Sequence, residues 1–356
     1  MSPTKQQIRF TQSHDGVRLA FAVSGNRQPT VIKAATWLSH LEFDWQSPVW
    51  QHLLDAFAAR ATFVRYDERG CGLSDWEAQD LSFAAWVSDL DSIVETLAIE
   101  RFALLGISQG AAVAIAYAVA HPDKVSHLIL HGGYARGRLI RSETQHQSDE
   151  AEMMCRLAEL GWGKDDVSFR QFFTSQFIPG GTPQQHQWFN EMERVSTSPF
   201  NAARFMREFN TINVRPLLTQ VHCPTLVLHS QRDVRVPFSE GRLLASEIPN
   251  AQFVPIDSGN HLLLAEEPGW EQWLQAVEEF LFQNANQHQV LRDLSERQLQ
   301  ILRLLAQGRD NAQIAANLDL SEKTVRNQVS LIFTKLSVEN RAQAIVLARE
   351  LGVGID

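Results

Sequence analysis

The segment RFALLGISQGAAVAIAYAVAHP, residues 101–122, constrains this chain more than any other stretch of it. An apolar run of strand length comes first, a run of small residues of helical length comes last, and Gly-Ile-Ser-Gln-Gly joins them. Ser108 stands at the apex of that turn. Side chains at Gly106 or Gly110 would clash, because the turn is strained and the helix packs close behind the strand. Five-residue patterns of this kind arise by chance in a chain of 356 residues. The strand before and the helix after make this one specific.

Two further loops complete a set. TLVLHS is followed by QRDVRVP, which places Asp233 just beyond the C-terminal end of a strand, and FVPIDS is followed by GNHLLLAEEP, which places His261 likewise. The order Ser, Asp, His suits a nucleophile, an orienting acid and a general base: His261 would take the proton of Ser108 while Asp233 stabilises the charged imidazole. Asp257 is a rival acid, but it lies four residues before His261 at a strand end, where a turn role is expected. The segment YDERGCGLSD, with the elbow and its partners, resembles the α/β-hydrolases of the esterase and haloperoxidase-like kind over about residues 8–282. That resemblance implies an oxyanion hole from the backbone amides of Trp37 and Gln109. In one departure, Ala35 and Thr36 stand where many relatives have His-Gly.

From Gly133 to Leu217 strand signals vanish and a helical insertion is expected, a lid over about residues 134–217. It holds Met153, Met154, Met192 and Met206 and many aromatics, including Trp162, Phe172, Phe173, Phe177, Trp188, Phe189 and Phe205. Such side chains adapt to irregular apolar ligands, so a largely hydrophobic small molecule, or an ester or lactone, is the expected occupant.

The last sixty or so residues follow another rule, with four short helical periods separated by capping residues. Ser295 caps the first and Gly308 ends it, and the second starts near Asn311. Ser321 caps a third whose Val325, Val329, Ile332 and Leu336 form one buried stripe. Its outer face carries Lys323, Thr324, Arg326, Asn327, Gln328 and Ser330, with Lys335 at the end. Arg and Asn can read guanine and adenine edges in a major groove, while Lys, Thr and Ser can hold phosphates. LSERQ, NAQIAANL, LSEKTVRN and KLSVENRAQA occur in an order similar to the LuxR-type helix-turn-helix of bacterial regulators, from Leu294 to Val353. Gln328 stands where many relatives place a histidine. The resemblance implies a fourth helix, about Arg341 to Leu351, that supports dimerisation.

The expected architecture is therefore α/β: an α/β-hydrolase fold with a helical lid (1–282), a polar linker (283–293) and a small all-α four-helix helix-turn-helix domain (294–356). The net charge of −9 is unevenly placed, −10 over the first 291 residues and +1 over the last 65. This keeps nucleic acid off the large domain and calls for a dimer on a pseudo-palindromic double-stranded operator. The longest apolar run, Ala111 to Ala120, is about half a membrane span. No signal core opens the chain, and Cys71, Cys155 and Cys223 lack metal or redox spacing. A bacterial cytoplasmic location, on the nucleoid when bound to DNA, is expected, with no cofactor, no metal and no membrane partner. The function expected is a DNA-binding transcription regulator whose hydrolase-like domain senses, and can hydrolyse, a small molecule. The alternative is a serine esterase carrying an accessory DNA-binding domain.

Overall fold

A computed structural model describes residues 5–292, 294–336, 338–350 and 353. It divides into two compact units between Val277 and Glu278. In the first, eight strands form one sheet: β1 (Gln7–Gln12), β2 (Arg18–Ser24), β3 (Thr30–Lys33), β4 (Thr62–Tyr66), β5 (Phe102–Ile107), β6 (Val125–His131), β7 (Thr225–Ser230) and β8 (Gln252–Ile256). Their order is β1-β2-β4-β3-β5-β6-β7-β8. The pairs β1–β2 and β2–β4 are antiparallel and all later pairs are parallel. Continuous apolar sequence goes with burial on both faces, so β3, β5 and β7 are buried at every position, whereas the edge strand β1 has none buried.

The strand order positions the site. β3 lies between β4 and β5, so the chain steps away from β3 in one direction and returns past it in the other. Loops leaving the carboxyl ends of β3 and β5 therefore diverge and open a crevice, the usual ligand position in a parallel sheet. Body helices α1 (Leu41–Asp44), α2 (Gln51–Arg60), α3 (Phe83–Thr96) and α4 (Gln109–Ala120) precede β6.

Between β6 and β7 the chain makes the four helices of the lid, α5 (Gln145–Gly161), α6 (Val167–Phe177), α7 (Pro183–Ser196) and α8 (Pro199–Thr211). Each starts on a side chain that accepts backbone N–H groups: Thr144, Asp166, Thr182 and Ser198. Helix α9 (Phe238–Glu247) follows β7, and α10 spans Pro268–Arg292. The backbone of the stretch expected to be a linker is thus helical through Arg292, as a segment without Gly or Pro allows. Asp293 lies outside the described residues. Among those residues no helix is long and apolar enough to cross a membrane.

The second unit is built from α11 (Glu296–Ala306), α12 (Asn311–Leu318), α13 (Glu322–Leu336) and α14 (Arg341–Glu350). Reciprocal side-chain caps, Ser295 with Gln298 and Asp310 with Gln313, start α11 and α12. Gly308, at φ 82°, follows α11, and Asp319, at φ 53°, ends α12. Ile301, Leu302, Leu305, Ile314, Val325, Val329, Ile332 and Leu336 meet in one core. Residues 351–352 and 354–356, which end the sequence-based domain, lie outside the described residues.

Candidate functional site

Ser108 follows β5 with φ 54° and ψ −124°, a conformation that costs a side-chain-bearing residue about 1–3 kcal/mol. Neighbours hold it there. Its N–H donates to the carbonyl of His131 at the end of β6 (2.9 Å). A Cβ on Gly106 would stand 2.6 Å from the Ala111 Cα, and one on Gly110 2.9 Å from the Ala35 carbonyl oxygen. Strand and helix are too close for anything but glycine.

His261 arrives on the loop after β8 and is wholly buried. Its N–H donates to the Phe177 carbonyl of the lid (2.8 Å), and its own carbonyl accepts from His131 Nε2 (3.1 Å). His131 Nε2 therefore carries the proton, and burial holds that ring neutral by lowering its pKa to about 3. His261 Nδ1 lies 2.7 Å from Asp233 Oδ2. Asp233 Oδ1 accepts the N–H groups of Arg235 (2.8 Å) and Val236 (3.0 Å). Burial alone would raise the Asp233 carboxyl, yet the His261 imidazole and the Val236 amide outweigh it and hold the group below the usual carboxylate range. Gly132, at φ 56°, makes room for the ring: a Cβ there would lie 3.0 Å from His261 Cε1.

Among the described residues His261 Nε2 has no hydrogen-bond partner, and His261 borders the same cavity as Ser108. The structure thus brings together the Ser108, Asp233 and His261 picked out in the sequence, with the His–Asp contact closed and the Ser–His contact not made. Such contacts commonly tighten only when substrate is present. Asp257 is exposed and pairs with Arg232 (2.7 Å), away from the imidazole.

Trp37 and Gln109 line the cavity with Ser108, but the Trp37 amide is occupied. Trp37 N–H donates to the side-chain Oε1 of Gln109 (3.3 Å), and Gln109 Nε2 donates to Glu68 Oε2 (3.0 Å). Glu68 is buried, which pushes its carboxyl up to about 8 against the opposing pull of Gln109. The sequence marked Gln109 for its backbone only. Its side chain proves to be a plug.

Two lobes of cavity meet at Ser108 and Trp37. One, of about 400 Å³, is apolar and is lined by Trp50, Ile107, Phe177, Phe189, Met192 and Leu262 among others. The other, of about 460 Å³, has Met154, Met206 and Phe209 on its walls and also Arg138, Arg141 and Arg235. Of the lid residues expected to shape a pocket, Met153 and Phe172 are exposed, Trp188 stacks on Phe43, and Trp162 packs against Trp37 at 5.0 Å between ring centroids. The three arginines were not picked out in the sequence. Arg235 stood two residues after Asp233 and Arg138 and Arg141 one helical turn apart after β6, but only the fold brings them to one cavity.

Among the described residues, His14, Asp91 and Glu95 are a group whose ligand atoms lie within 4.8 Å of one another. They already satisfy one another and their neighbours: His14 with Glu95 (3.0 Å), and Asp91 with Tyr117 (3.1 Å) and Lys124 (3.6 Å).

In the second unit, the outward face of α13 exposes Lys323, Thr324, Arg326, Asn327, Ser330 and Lys335, with Gln328 half-buried. Several of these are held by neighbours. The Thr324 N–H and hydroxyl contact Ser321 Oγ, and the Ser330 hydroxyl donates to the Arg326 carbonyl (3.2 Å). Gln298 of α11 donates to Gln328 (3.1 Å) and accepts from Lys335 Nζ (2.9 Å), so one amide fixes two positions of the candidate DNA-reading helix.

Comparison with known proteins agrees with both units. Residues 44–268 match the alpha/beta hydrolase fold family, and residues 292–348 match the bacterial regulatory proteins of the luxR family. The chain belongs to the α/β-hydrolase fold family. At its C-terminal end it carries a LuxR-type helix-turn-helix DNA-binding domain, so it joins a hydrolase fold to a DNA reader. Pyrrolizixenacetamide deacetylase of Xenorhabdus hominickii is 26% identical over 242 residues, 65% of this chain and 85% of that protein. Karrikin insensitive 2 receptor B of Petunia hybrida is 25% identical over 253 residues, 66% of this chain and 85% of that protein. An esterase from Exiguobacterium antarcticum shares the fold with a TM-score of 0.64 at 20% identity, over 77% of this chain and 99% of its own.

Proposed function

We propose that the chain is a transcription regulator that binds a small molecule in the cleft at Ser108 and, as a homodimer on a pseudo-palindromic operator, changes its DNA affinity in response. The observation that carries this reading is a lid-covered cavity at Ser108 in the same chain as a DNA-binding helix whose Lys323, Arg326 and Asn327 are exposed. Arg326 and Asn327 read bases in this proposal, Lys323, Thr324, Ser330 and Lys335 hold phosphates, and Gln328 is set by Gln298. The site of action is the bacterial cytoplasm, on the nucleoid when DNA is bound. Relatives of the large unit carry both enzyme and receptor names, a deacetylase and a karrikin receptor among them, so the fold is compatible with sensing as well as turnover.

Hydrolysis is the second reading, favoured by the 2.7 Å His261–Asp233 contact and the strained serine. Ser108 Oγ would attack an acyl carbonyl as His261 Nε2 takes its proton. That proton would pass to the leaving alcohol, and water would then release the acyl group as an acid and restore Ser108. The oxyanion needs the Trp37 N–H, which must first exchange the Gln109 side chain for the substrate. A hydrolytic sensor would destroy its own signal, which joins the two readings.

Intact mass after exposure to a fluorophosphonate tests the nucleophile. One adduct on the wild type, absent from Ser108→Ala, is the expected outcome of the hydrolytic reading, and no adduct on either leaves a receptor. Selection of DNA sequences by the full chain tests the regulator. Enrichment of a pseudo-palindrome, weakened or strengthened by a bound ligand, is expected, and no enrichment of any sequence would sink the proposal.

A further inference from the structure

Three guanidinium groups border one lobe of the cleft, and among the described residues none is paired with a carboxylate. Arg138 makes no side-chain hydrogen bond among the described residues, Arg141 donates to the Arg136 carbonyl (2.8 Å), and Arg235 donates to Gln176 Oε1 (3.0 Å). Each guanidinium carries five donors and a charge that is never lost near neutral pH, so most of this capacity is unspent. The acids nearest them are committed elsewhere. Glu240 accepts from Arg136 at 2.6 and 3.1 Å and from two backbone amides, Asp233 holds His261, and Glu150 pairs with His146 on the outer face of α5. Burial and mutual repulsion push Arg235 down to about 10, and burial lowers Arg138 and Arg141.

Partial burial of three like charges in one cavity opposes folding unless something compensates them. Aromatic faces supply a little: Arg235 lies over Phe177 (5.0 Å) and Arg141 over Tyr134 (5.8 Å). The remaining charge asks for an anion. Planar guanidinium forks match carboxylate oxygens in pairs, and the adjoining lobe is apolar.

We propose that the ligand of this cleft is a small organic carboxylate with an apolar body: its carboxylate sits on Arg138, Arg141 and Arg235, and its body reaches past Ser108 into the lobe of Trp50, Phe177, Phe189 and Met192. This rests on the reading that the cleft at Ser108 is the ligand site, and it narrows the ligand class to amphipathic anions. Asn210, which borders the arginine lobe and donates to Cys155 Sγ (3.3 Å), is a neutral neighbour. It adds no competing charge.

The test is binding and needs no turnover, so it is independent of whether Ser108 labels. Titration calorimetry on the full chain compares 6-phenylhexanoate with its uncharged isostere 6-phenylhexanamide, in wild type, Arg138→Met and Arg235→Met. The anion should bind the wild type at least about tenfold more tightly than the amide, with a preference that shrinks as salt rises and falls toward parity in each variant. Melting temperatures of the same proteins separate a ligand site from a structural one. Variants that melt at or above the wild-type temperature while losing the anion preference support the site, because they remove unpaired charge. Variants that melt well below it with the preference intact overturn it. Equal affinity for acid and amide overturns it as well, as does no binding of the acid at millimolar concentration. Inorganic phosphate that competes as strongly as the carboxylate would place a mineral anion on the arginines and overturn the organic assignment.

Discussion

The two units do their work with opposite economies of sequence. In the large unit the candidate site is assembled from loops after β3, β5, β7 and β8, and its groups are buried and locked by partners: Asp233 to His261 and two amides, Gln109 to Trp37 and Glu68. The small unit presents its candidate reading residues from one helix, most of them exposed, over a core of a dozen buried side chains. A site gathered from distant segments depends on the whole sheet. A site on one helix depends on that helix staying upright on its neighbours.

The largest effect is expected from emptying the small core. Ile332→Ala removes a fully buried side chain from α13 and should cost about 2–5 kcal/mol, enough to unfold a unit this small. DNA binding should vanish while fluorophosphonate labelling of Ser108 stays unchanged. Loss of both together would show the units to be one cooperative whole.

In the large unit the next effect is one of pH. The Glu68 carboxyl is raised from 4.5 to about 8 by burial, so its contribution is fully present below about pH 4.5 and is lost as pH rises toward 8. Glu68→Gln keeps a hydrogen-bonding amide beside Gln109 and should remove that part of the slope, a difference on the order of 3–4 kcal/mol between pH 5 and 8. Urea midpoints of the two proteins at both pH values check it. Parallel curves would mean that Glu68 titrates as an ordinary acid.

Next in size, Arg326→Ala should weaken binding to a selected operator by about 1–3 kcal/mol with little change on random DNA, whereas Lys323→Ala should weaken both alike and lower the salt slope by about one. Gel shifts at two salt concentrations separate the pair. The smallest effect is expected at a cap. Ser295→Ala removes the acceptor for the Gln298 N–H and should cost about 1 kcal/mol in the melting of the small unit.

What could be read in advance follows the same division. The helices of the small unit announce themselves by local rules, so Ser295 and Ser321 stand at helix starts and the stripe Val325, Val329, Ile332, Leu336 is the buried one. The elbow at Ser108 was legible for the same reason, since Gly106 and Gly110 answer to neighbours within a few residues or one strand away. Asp233 and His261 could be found by order and by their place after strands. The arginines and the Gln109 plug could not. Arg138 lies in the segment entering the lid and Arg235 in the loop after β7, nearly a hundred residues apart, and nothing in either stretch signals the other. The bond from Gln109 Oε1 to Trp37 spans seventy-two positions. The polar composition of 283–293 marks a linker between the units but not its backbone, because polarity does not forbid helix where Gly and Pro are missing.

Gly132 supplies no atom to any reaction, and yet the imidazole of His261 stands in the volume that a side chain there would fill. The site is therefore outlined partly by matter left out. If the hydrolytic reading holds, a survey of tolerated substitutions should flag this silent glycine alongside the serine, and a search for reactive groups alone would pass it by.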